Sequence, residues 1–130
     1  MWYSYAVIRV VPRVERGESI NVGVVIFART TGYLRASVEL DTARLLALAP
    51  ETDVPIIERH LRQFSAISEG AAAGGPLAEL PPSERFHWMT APRSTVIQTS
   101  PVHMGVADDL DAALDDLLND FVRPPKVSEE

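Results

Sequence analysis

An α+β fold is predicted for this chain: a mostly antiparallel sheet of about four strands, covered on one face by two to three helices. Three observations predict it. Residues 2–11 and 20–28 are β-branched and aromatic runs, residues 33–40 alternate between apolar and polar, and leucines recur at helical spacing over residues 110–121.

Trp2 to Val11 carries little polar content apart from Arg9, the pattern of a strand buried on both faces, and Pro12, which has no N–H to donate, ends it. A polar connection, Arg13 to Glu18, leads into a second strand, Ile20 to Ala28. Thr30-Thr31-Gly32 is a tight turn into a third, where Leu34, Ala36, Val38 and Leu40 share one face. Tyr33, Arg35, Ser37 and Glu39 occupy its other face, which is expected to meet water. Asp41 is placed to cap a short helix through Ala49, and Asp53 a longer one with the apolar stripe Ile57, Leu61, Phe64 and Ile67.

The small residues of Gly70 to Pro76 predict a flexible surface loop. Ser83, after Pro81-Pro82, is placed to cap a helical turn that presents Phe86 and Trp88. Ser94 to Thr99, bounded by Pro92 and Pro101, reads as a further strand. From about Asp108 to Phe121, Leu110, Leu114, Leu117, Leu118 and Phe121 form one helical stripe. Asp111, Asp115, Asp116 and Asp120 lie opposite that stripe, while Asp108 and Asp109 complement the helix dipole. Residues 1–122 thus read as one α+β domain and residues 123–130 as a mobile tail.

A chain of 130 residues buries roughly two thirds of its unfolded surface without a covalent staple. The absence of cysteine excludes disulfides, thiol nucleophiles and zinc ribbons. No basic segment followed by an apolar run opens the sequence, and no apolar stretch approaches the ~20 residues of a membrane span. A cytoplasmic location away from the membrane is therefore expected. A net charge of −6 opposes general attraction to nucleic acid. Lys126 is the only lysine. Arginine forks suit bidentate binding of carboxylate or phosphate, although a codon bias toward arginine accounts for the same composition.

Two polar clusters stand out. The first, Arg16 to Val24, has Glu18 and Asn21 beside glycines, and Gly23 inside a strand marks a bulge, a close backbone approach or space for a ligand. Satisfying backbone groups at the turn explains Glu18 and Asn21 just as simply; a site requires Arg16 or Arg9 beside them. In the second, Thr90 to His103, alternation puts Ser94, Gln98 and Ser100 on one face with Arg93 and His103 at its ends. That is either an anion- or amide-recognition platform or an amphipathic strand with a wet face. His60, His87 and His103 show no metal-ligand spacing, so neither a metal nor a cofactor is expected. His60 reads as boundary packing and His87 as a surface or capping group, leaving His103 as the better proton-transfer candidate. No phosphate-binding glycine loop is present.

At these clusters the sequence resembles a family of small bacterial proteins known as domain of unknown function 3037. The resemblance lies in Tyr5 to Pro12, Arg16-Gly17-Glu18, Asn21 to Val24, Phe86, Ala91 to Ser94 and Ser100 to His103. It implies no activity, and it draws attention to Arg9, Arg16, Glu18, Asn21, Arg93, Ser94, Gln98 and His103. It also implies a neighbour, because members lie beside proteins similar to the HipA-type serine/threonine kinases. The expectation is a non-enzymatic binding or accessory domain whose two clusters converge to recognise a partner protein, such as that kinase, or a small anionic ligand. The alternatives are an enzyme on a phosphate- or nucleotide-containing substrate, with His103 as acid/base and an arginine stabilising charge, and an interaction module joined through the acidic helix.

Overall fold

Strand β1, Trp2–Val10, is the axis of the fold. In the computed structural model, which describes residues 1–125, it is followed by β2 (Ile20–Ala28), β3 (Tyr33–Val38), α1 (Thr42–Leu48), α2 (Val54–Glu69) and a 3-10 segment (Ala72–Glu79). Then come α3 (Pro82–Thr90), β4 (Ile97–Thr99), β5 (His103–Val106) and α4 (Leu110–Phe121). All strand pairs are antiparallel, in the order β3-β2-β1-β4. β5 pairs with residues 2–5 of β1, on the same side as β4. The expected α+β antiparallel architecture is therefore present, with five strands.

The fifth strand, β5, lies beyond the last one expected from sequence, Ser94 to Thr99, of which only Ile97–Thr99 forms β4. Proline at position 101 has no N–H for the ladder. The edge strand kinks there, and Ser100 bridges the gap: its backbone N–H donates to Val7 O (2.8 Å) and its Oγ accepts from Val7 N–H (2.8 Å). Ser68 does the same at the opposite edge, where its Oγ accepts from Ala36 N–H on β3 (3.1 Å). These serines are the two buried polar residues among the described residues, and both satisfy a strand N–H.

The sheet separates two cores, and a bulge sets which residues of β2 face each. Ile8 pairs with Gly23 but Arg9 with Asn21, so Val22 is an extra residue in β2. Before the bulge Ile20 and Val22, and after it Val25 and Phe27, face one core; Val24, Ile26 and Ala28 face the other. The first core receives the expected stripe of α2, together with Leu45 of α1 and Phe86 and Met89 of α3. Phe86 stacks on Phe27 at 5.3 Å. The leucines of α4 fill the second core, on the sheet face where the sequence placed water beside β3. From Val24 to Ala28 that face of β2 is apolar, so a helix rather than solvent must cover it. Three helices thus cover one face as expected, and α4 covers part of the other.

Other expectations are corrected locally. The 70–76 stretch is not a loose loop, since most of it forms the 3-10 segment against α2. A Cβ on Gly74 would stand 3.0 Å from the Ile67 backbone N, so small residues there permit close packing. Helix α3 begins at Pro82 in the first turn, with Ser83 inside it rather than at its cap. Asp41, Asp53 and Asp109 do cap α1, α2 and α4. Arg123, placed by sequence in the tail, bonds to Glu39 (2.6 and 2.9 Å), Asp115 (2.8 Å) and Asn119 (2.9 Å), tying β3 to α4. Residues 126–130 of the expected mobile tail lie outside the described residues.

Two substitutions test these contacts by urea denaturation. Ser100→Ala leaves the buried Val7 N–H unpaired and is expected to destabilise the fold by about 1–3 kcal/mol. Gly23→Ala puts a Cβ 2.5 Å from Ser37 O, a backbone atom, and is expected to lose a similar ~1–3 kcal/mol by overpacking.

Candidate functional site

The register of three strands builds a lateral row from residues far apart in sequence. Arg9 on β1 lies directly opposite Asn21 on β2 and Gln98 on β4. Residues directly opposite in neighbouring strands project to the same side, so all three share the face on which α4 packs. Tyr5 and His103 form a second row on that face, their rings 5.5 Å apart, and Phe121 at the end of α4 approaches Tyr5 at 6.1 Å. Roughly 14 Å of strand separates the rows, four residues at ~3.4 Å each.

Both amides in the first row already use a donor on the fold. Asn21 Nδ2 donates to Phe121 O (3.0 Å) at the end of α4, and Gln98 Nε2 donates to Thr95 O (2.8 Å). Arg9 is different. It is half-buried, and among the described residues it makes neither an ion pair nor a side-chain hydrogen bond. The other half-buried arginines are engaged: Arg13 with Glu51 (2.5 Å), Arg85 and Arg93 with backbone carbonyls, and Arg123 with carboxylates.

The rest of the two clusters divides. Arg16 and Glu18 pair with each other in the exposed connection between β1 and β2. Gly23 serves the bulge and the close approach to β3, not a ligand. Ser94 is exposed, and Ser100 is a ladder plug rather than a platform residue. Arg93 lies across the sheet from Arg9, with its guanidinium 4.3 Å from the Trp88 ring centre. Nε donates to Ala91 O (3.3 Å), and Nη2 donates to Trp88 O. Burial pushes its pKa down. A cavity of about 350 Å³ adjoins it, lined also by His60, Gln63, Phe64 and Trp88. Strand register thus sets one residue of each cluster, Asn21 and Gln98, on either side of Arg9, with His103 in the other row of that face, while Arg93 belongs to a different surface.

Sequence reasoning missed Arg85, which donates to Leu80 O (2.8 Å), Ile67 O (2.9 Å) and Ser68 O (2.8 Å), joining α3 to the end of α2. It also gave His60 no place in a cavity, because only tertiary packing sets α2 beside residues 93–97. His87 is exposed as expected. Of the acidic face of α4, Asp111 bonds to Tyr33 and Asp115 to Arg123. Among the described residues no group of three or more His, Cys, Asp or Glu is placed to hold a metal ion, and no helix is long and apolar enough to cross a membrane.

Comparison with known protein families matches residues 5–122 to a family described as protein of unknown function (DUF3037). The chain belongs to the DUF3037 family. No curated protein and no solved structure matches it. The matched span of this DUF3037 chain takes in all the strands and helices except the first three residues of β1, including both arginine surfaces.

Tyr33 supplies a pH test of the contact between β3 and α4. Burial, followed by the hydrogen bond to Asp111, pushes its pKa up to about 12 from 10.0. A raised pKa in the folded state means that the stabilisation is complete below pH 10.0 and is lost as pH rises through about 12. Ultraviolet titration of the phenols is expected to reveal a late-ionising group that Tyr33→Phe removes. Unfolding free energy should fall between those pH values, less steeply in Tyr33→Phe.

Proposed function

We propose that this DUF3037 chain is a non-enzymatic accessory domain that binds an acidic segment of a partner protein on the sheet face centred on Arg9. The observation that carries this reading is the half-buried Arg9 guanidinium, without a carboxylate among the described residues and flanked by Asn21 and Gln98. A guanidinium held on a strand is pre-organised for a bidentate carboxylate or phosphate bond, and the neighbouring amide oxygens accept from a partner backbone. Tyr5, His103 and Phe121 add an aromatic shelf of the kind that anchors protein interfaces.

An extended partner suits this surface better than a small substrate does. Arg9 and His103 stand too far apart to act on one reacting atom, and His103 has no arginine within its row. The enzyme reading with His103 as acid/base therefore has no geometric support. A HipA-type kinase is the candidate partner that the family resemblance suggests.

The test is co-expression with a HipA-type kinase and measurement of its affinity for the purified chain. Arg9→Glu is expected to weaken binding about ten-fold or more, equivalent to ~1.4 kcal/mol or more, and wild-type affinity should fall with added salt. Full binding by Arg9→Glu, or an affinity indifferent to salt, would remove this face from the interaction.

A further inference from the structure

The cavity beside Arg93 carries a second inference, independent of the Arg9 surface because the sheet lies between them. Its walls come from α2, α3, the 3-10 segment and residues 93–97, and its apolar lining includes Phe64, Ile67, Leu77, Val96 and Ile97. His60, Gln63 and Thr95 supply the polar groups. Although the chain holds eighteen acidic residues, no Asp or Glu is among the described lining residues. Arg93 is the lone permanent cation among the described lining residues.

Arg93 is also held in place. The Trp88 ring supports the guanidinium face, and the Ala91 and Trp88 carbonyls, at the end of α3, take donors from Nε and Nη2. These bonds cap α3 and leave Nη1 without a partner among the described residues. A fixed guanidinium edge beside an apolar cavity fits a ligand with one carboxylate and an apolar body. The carboxylate neutralises a charge that burial disfavours, and the body displaces water from the apolar walls. With about 350 Å³, near the lower end of ligand-pocket sizes, the space suits one or two compact rings. We infer that the Arg93–Trp88 cavity binds a small organic monocarboxylate, with its carboxylate on the free Nη edge of Arg93 and its apolar body against Phe64, Ile67 and Leu77.

Trp88 reports on this binding directly. Trp2, the other tryptophan, is 66% exposed, so Trp2→Phe leaves a single emitter at the site with the core intact. The full chain in that background is titrated with adamantane-1-carboxylate and with its neutral isostere, adamantane-1-carboxamide, at up to millimolar concentration. The expected result is a saturable change in Trp88 emission, with the carboxylate bound about ten-fold more tightly than the carboxamide, and loss of that preference in Arg93→Gln. Equal affinities, a preference that survives Arg93→Gln, or no response to either compound overturns the inference; mere capping of α3 by Arg93 predicts no preference. Should Arg93→Gln fail to fold, Gln63→Phe at the exposed rim is expected to block the carboxylate, and undiminished binding by that variant overturns the inference equally.

Discussion

Hydrogen bonding along both edges of β1 is the constraint on which the other elements depend. Where β1 is buried, over Ala6 to Ile8 and at Val10, no water completes its backbone, so N–H and C=O groups there need a protein partner. β2 supplies one edge without interruption except at Val22. The other edge is shared by β4 and β5, whose ladder Pro101 would break. Ser100 closes the gap with its hydroxyl, which also donates to Pro101 O (2.9 Å). A residue that looked like part of a recognition platform is thus a repair to the sheet. Ser68 performs a related service for β3 from within α2, fixing that helix against the sheet.

The bulge in β2 decides which core each of its apolar residues joins. The extra residue at Val22 lets Ile20 and Val22 share a face with Val25 and Phe27, which simple alternation would set on the opposite face. β2 is buried on both sides for most of its length because it is apolar apart from Asn21, so α4 is a structural necessity rather than an appendage. Gly23, next to the bulge, lies so near β3 that an added Cβ would stand 2.5 Å from Ser37 O. Arg123 then anchors the end of α4, holding the Glu39 carboxyl below its usual pKa through its hydrogen bond to that group. Stability from this contact is present above the ordinary glutamate range and is lost as pH falls through the lowered value.

Arginines do the structural joining in a chain almost without lysine, and that changes how the exceptions are read. Arg85 collects three carbonyls at the junction of α2, the 3-10 segment and α3, while Arg123 collects two carboxylates and an amide. Planar forks suit such multiple bonding. Against that background, Arg9 and the Nη1 edge of Arg93, both without a partner among the described residues, are informative, whereas exposed arginines such as Arg59 are not. The two informative positions lie on opposite faces of the sheet, so the proposals built on them are independent of one another.

Much of the fold is determined by the sequence itself. The runs over β1 and β2, the alternation in β3, the aspartate caps and the stripes of α2 and α4 are local patterns with a period or a capping geometry, and the structure follows them. Local pattern also pointed to Arg9, Asn21, Gln98 and Arg93. It could not say which of them meet. The row through Arg9 depends on strand register, and register on a bulge that no periodicity marks. Arg93 parted from that row because it turns back onto Trp88 instead of extending β4, whose ladder reaches only to Val96, and the Gly70–Pro76 stretch became packed structure because Ile67 admits a glycine beside it. Only the tertiary structure decided these points, because each depends on contacts between residues distant in sequence, whose backbone groups and volumes must be satisfied together.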